Sequence, residues 1–147
     1  MRFFGRCILA VLVVAMVLCL FSCEKKKKGR LEITEQEFVL RQDSENSFTI
    51  DAKGKIKNIG EVDAKNVALT GRCKSCSDIF MVGEWFVAGD VEKLPNQKDV
   101  ISYIAAGDEE SFQFEEVTSM LLKAGQGTPE LPEGLEVVII SFETVDN

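Results

Sequence analysis

The sequence predicts an all-β chain folded as a single antiparallel β-sandwich, and three observations carry that prediction. Phe48, Ile50, Ala52, Gly54 and Ile56 alternate with Thr49, Asp51, Lys53, Lys55 and Lys57, the period of two of a strand with one buried and one wet face. The same alternation returns at Val67 and Leu69 and again at Phe112 and Phe114. Turn residues interrupt these runs at short intervals, while only residues 117–124 space their apolar side chains as a helix would. Strands with one apolar face must stack it on another sheet, and a sandwich is the simplest way to do so.

Ahead of the strands stands an apolar leader. Arg2 and Arg6 supply a positive start, residues 8–21 are apolar, and the run ends in Leu20-Phe21-Ser22-Cys23. A helix of residues 8–21, rising about 1.5 Å per residue, falls short of roughly 30 Å of hydrocarbon, so residues 1–22 read as a secretory signal peptide. Leu20 and Ser22 before a cysteine resemble the lipobox of bacterial lipoproteins, with Phe21 bulkier than is usual there. The resemblance implies that the Cys23 sulfur takes a diacylglycerol, that the leader is then removed, and that Cys23 becomes an N-terminus carrying fatty acyl chains such as palmitate. Each buried methylene contributes about 0.8 kcal/mol, so two or more chains hold a protein to a membrane almost permanently. The expected location is the bacterial cell envelope, anchored by lipid on a periplasmic or surface face. Residues 23–30 form the tether, where Lys25, Lys26, Lys27 and Lys28 stay solvated by mutual repulsion and are drawn to anionic headgroups.

The formal net charge of the whole chain is −7. Losing Arg2 and Arg6 leaves 15 of the 17 bases against 24 acids, or −9. Setting aside Lys25, Lys26, Lys27, Lys28 and Arg30 together with Glu24 leaves 10 against 23, or −13, for residues 31–147. Nucleic acid, which needs a basic surface, is excluded as an expected partner. Residues 31–147 suffice for one domain with its own core.

Cys7 and Cys19 leave with the leader, so Cys73 and Cys76 are the cysteines of the folded part. In an oxidising compartment Cys73-Lys74-Ser75-Cys76 is expected to close as a local disulfide, worth about 2 kcal/mol for so short a loop. A redox-active pair and a metal thiolate are the alternatives. The first lacks the strand-to-helix setting of thioredoxin-like motifs, and the second lacks further ligands in a chain with no histidine. No metal and no cofactor is expected.

Taken in order, Leu31 and Ile33 alternate with polar residues, as do Phe38 and Leu40, but the two pairs differ in parity. A bulge within residues 35–37 is expected, so that both pairs face inward. Residues 41–46 read as a polar loop. The strand through Phe48 and Ile56 follows, and Asn58-Ile59-Gly60-Glu61 turns the chain with Gly60 free to take positive φ. Val67 and Leu69 extend the alternation to Cys73, which should face the core, with Cys76 in the adjoining loop. Residues 79–87 are apolar on both parities and read as a strand buried on both faces, with Trp85 packed in the core. Gly89-Asp90 turns the chain, and Pro95 marks a loop over residues 94–99. Residues 100–105 form a strand with Ile101, Tyr103 and Ala105 on one side. Phe112 and Phe114 make another, residues 117–124 a short crossing helix, residues 125–134 a Gly- and Pro-rich loop, and residues 135–142 the closing strand. Asp108, Glu109, Glu110, Glu115 and Glu116 lack calcium-loop spacing and read as a solvated rim.

Gly54-Lys55-Ile56-Lys57-Asn58-Ile59-Gly60, then Ala64 and Val67, resembles the Gly-x-Val-x-Asn-x-Gly, Ala-x-x-Val stretch of the FxLYD-domain family and the cell-adhesion-related domain found in bacteria. Ile104-Ala105-Ala106-Gly107-Asp108 with Phe112 is similar to the later Leu-x-Pro-Gly-Glu and Phe segment of the same families. The cysteine pair stands where the Leu-Tyr-Asp triplet of the first family falls. The resemblance spans about residues 54–114. It implies an immunoglobulin-like β-sandwich and transfers no catalytic residue.

The chain has no histidine for acid–base work, no phosphate-binding loop and no Gly-x-Ser-x-Gly. The expectation is a protein that is not an enzyme and has no catalytic residues. It would be a lipid-anchored binding or accessory module whose partner is another envelope protein. The alternatives are a membrane-surface thiol–disulfide protein using Cys73 and Cys76, and a structural component of a larger envelope machine.

Overall fold

Alternating side chains build the first sheet from a long hairpin. In the computed structural model, which describes residues 28–87 and 92–145, β1 (Leu31–Ser44) pairs antiparallel with β2 (Ser47–Asn58). The other side of β2 pairs with β5 (Glu109–Leu121). In the second sheet β3 (Asp63–Cys73) lies between β4 (Lys98–Ile104) and β6 (Leu135–Val145), both antiparallel to it. The two three-stranded sheets stack as an all-β sandwich, and the only helical element among the described residues is a 3-10 turn at Pro95–Gln97. Ile50 and Ile56 from one sheet meet Val67, Leu69 and Ile104 from the other, with Phe112 and Phe114 closing the core. Each such side chain taken fully out of water contributes roughly 1.5–3 kcal/mol.

Three breaks in the period of two shape the strands. Thr34 is the extra residue where β1 shifts register between Ile33 and Glu35, one position before the expected break, and Leu31, Ile33, Phe38 and Leu40 all pack on the core as a result. Asn66, at φ 52°, turns the parity of β3 over between buried Ala64 and buried Val67. Its β4 partners follow, so Ile104 is buried and Tyr103 is exposed, which corrects the expected Ile101, Tyr103 and Ala105 face.

The third break is a wide bulge in β5 opposite Asp51, where Glu116 takes φ 54° and donates its N–H to the Asp51 carboxylate at 3.1 Å. It turns Val117 inward onto Gly71, where a β-carbon would lie 2.4 Å from a Val117 methyl. Residues 117–121 are therefore strand and the expected helix is absent. A bulge spaces buried residues by three and so imitates helical periodicity.

Residues 41–44 belong to β1, leaving residues 45–46 as the turn in place of the longer expected loop. Gly60 does not take positive φ; it is needed because a β-carbon there would come within 2.5 Å of the Arg30 nitrogen. Residues 79–82 are not a buried strand and are exposed. Gly89-Asp90 lies outside the described residues.

The pairing registers give the sandwich two distinct ends. At the near end, where the chain enters at Leu31, lie residues 59–62, residues 105–108 and the end of β6. Roughly 40 Å away, the length of a twelve-residue strand, the distal end carries residues 74–87, 92–97 and 122–134, with the turn at residues 45–46.

Candidate functional site

Asn58 ties the near end together. It is fully buried, and its side-chain amide donates to the carbonyls of Val62 at 2.9 Å and Ile104 at 3.1 Å while its side-chain oxygen accepts from the Gly60 N–H at 3.0 Å. Its backbone N–H donates to Asp108 and its carbonyl accepts from Gly107. The entering chain joins the same knot, since the Lys28 and Arg30 carbonyls accept from the Glu61 and Ile59 N–H groups. Nearby, Asp63 accepts from the Tyr103 hydroxyl and from the Ala106 N–H, which hold its carboxyl below the usual range, and the hydroxyl's bond to Asp63 pushes the Tyr103 phenol up. These bonds fasten the two turns, the entering chain and β4 to one another, so this end is built for rigidity.

Cys73 and Cys76 form a disulfide, with Cα atoms 5.5 Å apart, at the opposite end. Cys76 is the one that packs against the core, and Cys73 is half-buried, which reverses the expected placement. Beyond it the chain folds into a braced loop. The Ser77 N–H donates to the Trp85 carbonyl at 2.9 Å, the Val87 N–H donates to the Ser77 carbonyl at 3.0 Å, and Phe86 exchanges two backbone hydrogen bonds with Ser119 of β5. Trp85 is core, as expected, with its indole N–H donating to the Glu130 carbonyl at 3.1 Å. The Gly83 N–H donates to the Leu121 carbonyl at 2.7 Å, and Phe80 sets its ring edge-on against Phe86 at 5.8 Å.

On that frame Ile79 is 68% exposed, Phe80 56%, Met81 49% and Val82 41%. The segment bends rather than running extended, with the Glu84 N–H donating to the Met81 carbonyl at 3.2 Å across a turn at Val82-Gly83, and this turn carries the four apolar side chains outward. A hollow of about 410 Å³ beside it is lined by Cys76, Trp85, Met120 and Pro132. Exposed apolar patches of roughly 300–600 Å² on a monomer are commonly functional. Sequence reasoning found the apolar character of residues 79–82 and missed their exposure. The available signal was Asp78 before the run and Gly83-Glu84 after it, residues that fit a loop better than a buried strand.

The other expected sites divide as follows. Cys23, Lys25, Lys26 and Lys27 lie outside the described residues, and Lys28 sits at the near end. The acidic rim is dispersed. Glu109 accepts from Thr34, Glu115 lies 3.9 Å from Arg41, and Glu116 accepts from Asn96. Among the described residues no group of carboxylates and cysteines is placed to hold a metal ion. The outer face of the first sheet is laced with charge. Arg41 grips Asp51 at 2.7 Å, which raises its pKa, and Lys55 reaches Glu35 at 2.9 Å and Glu109 at 3.8 Å. Two sandwich edges are closed by side chains, with Gln36 accepting from the Val137 N–H of β6 and Asp99 from the Gln113 N–H of β5, each at 3.0 Å.

No family model matches the sequence, and neither a curated protein nor a solved structure shows significant similarity to it.

Proposed function

We propose that the chain is a lipid-anchored bacterial envelope protein whose immunoglobulin-like β-sandwich serves as a non-catalytic binding or assembly module. The anchor reading rests on the sequence, on the positive start, the short apolar run and Cys23 after Ser22. The sheet orders β1-β2-β5 and β4-β3-β6 support the immunoglobulin-like reading, because they follow the pattern in which the first, second and fifth strands form one sheet of such folds. The binding reading is carried by one observation, the exposed apolar residues 79–82 held on a braced loop at the end of the sandwich farthest from chain entry. An anchored domain presents such an end away from its membrane. The partner in this reading is another envelope protein.

Intact-mass measurement of protein extracted from its own membranes tests the anchor. The expected product begins at Cys23 and carries a diacylglyceryl adduct. A chain still beginning at Met1, or one without lipid, contradicts the reading.

A second reading, thiol–disulfide exchange, draws on the Cys73–Cys76 pair at the same exposed end, where the Ser75 hydroxyl lies 3.8 Å from the Cys73 sulfur. A reduction potential below about −300 mV marks an inert staple, and one near −200 mV marks a redox pair.

A further inference from the structure

We propose that residues 79–82 are the plug of a protein–protein joint and that the socket is an apolar pocket with a basic rim on a folded envelope partner. The inference rests on the binding-module reading and names the surface and its complement.

Shape comes first. The tip is a projection, so its complement is a cavity or a fluid interface. It is also ordered before anything binds, since the disulfide, the pairing of Ser77 and Phe86, the Gly83–Leu121 hydrogen bond and the Phe80–Phe86 ring contact fix it from below. A tip fixed in advance loses little conformational entropy on docking. Aromatic and Met side chains are the types enriched where interfaces concentrate their binding energy.

Charge then chooses among the occupants. Asp78 and Glu84 flank the tip, and Glu130 and Glu133 lie on the strand of loop beside it, where their carbonyls accept from Trp85 and Ser75. Of the bases alongside, Lys74 is bound to Glu136 at 2.7 Å, and Lys123 lays its stem against Gly83. The body carries −13 between residues 31 and 147. An acidic collar is repelled by anionic headgroups and by a second copy of the same acidic body, whereas a basic rim attracts it.

The test uses the full chain in its own membranes, with photoreactive benzoylphenylalanine in place of Phe80 and, as the comparison position, in place of Val100 on the outer face of β4. The expected result is an adduct from position 80 whose crosslinked peptide is apolar and flanked by Lys or Arg. The purified partner should then bind the chain in a salt-sensitive manner, and Phe80→Glu should weaken that binding at least about tenfold. An adduct joining two copies, an adduct to a partner segment without bases, or Phe80-dependent binding to phosphatidylcholine vesicles overturns the assignment. Adducts from position 100 alone overturn the plug while leaving the binding module intact. The absence of adducts from both positions, in a protein whose mass shows no lipid at Cys23, removes both.

Discussion

The two ends of this sandwich handle polar groups and apolar side chains in opposite ways. At the near end the connections are short, at residues 59–62 and 105–108, and a buried amide, Asn58, gathers their backbone groups. At the distal end the connections that follow β3 and β5 are long, beside the two-residue turn at 45–46, and apolar side chains that would ordinarily be buried are displayed. The difference teaches that closure of the fold and the display of apolar side chains have been separated along the strand axis. One end closes the fold, and the other is fastened from beneath by Trp85 and the disulfide while its outer surface is left free.

Each part of that contrast can be broken separately. Trp85→Ala should cost the most, about 3 kcal/mol or more in urea unfolding, because it leaves a large cavity under the distal loop and frees the Glu130 carbonyl. It should also speed amide exchange across residues 77–86, and a loop that stays protected would show that the disulfide and the backbone hydrogen bonds to β5 hold it without the indole.

Asn58→Ala should follow at about 2–3 kcal/mol, since two carbonyls and one N–H lose their partner in the interior. A loss within experimental error would mean that water replaces the amide and that the near end is not the clamp described above.

Replacing Cys73 and Cys76 together by Ser should cost about 2 kcal/mol on the chain-entropy estimate for a short loop, read as a lower urea midpoint with an unchanged slope.

The smallest effect is electrostatic. The lowered Asp63 pKa means that its contribution is present above the ordinary carboxylate value and is lost as pH falls through the lowered one. The raised Tyr103 pKa means that the same clasp is intact below the ordinary phenol value and is lost as pH rises through the raised one. Tyr103→Phe should therefore move the Asp63 pKa upward, though not to the ordinary value, because the Ala106 N–H remains. An NMR titration that finds the Asp63 carboxyl unmoved would deny the hydroxyl its role.

What could be read in advance follows the same division. β2 and the Phe112, Phe114 pair were legible because period two holds there without interruption and one face is apolar. The parity shift of β1 was legible because Leu31, Ile33, Phe38 and Leu40 had to share a face. The turn-forming Asn58 was visible as a turn residue, but its burial was not, since an Asn-x-Gly turn looks the same whether the amide faces water or a neighbouring strand. Residues 117–124 were misread as a helix because Val117, Met120, Leu121 and Ala124 fall at helical spacing, while the bulge that turns Val117 inward leaves no mark in the sequence. The tip was misread as core because hydropathy records which residues dislike water and not whether the fold shelters them.

The central claim is that the distal tip is not there to stabilise the fold, and urea unfolding of Phe80→Glu beside the unchanged protein tests it most directly. The account predicts a loss of no more than about 1.5 kcal/mol, that of the edge-on contact with half-buried Phe86. A loss of about 2 kcal/mol or more, comparable to Asn58→Ala, would place Phe80 in the core and contradict it.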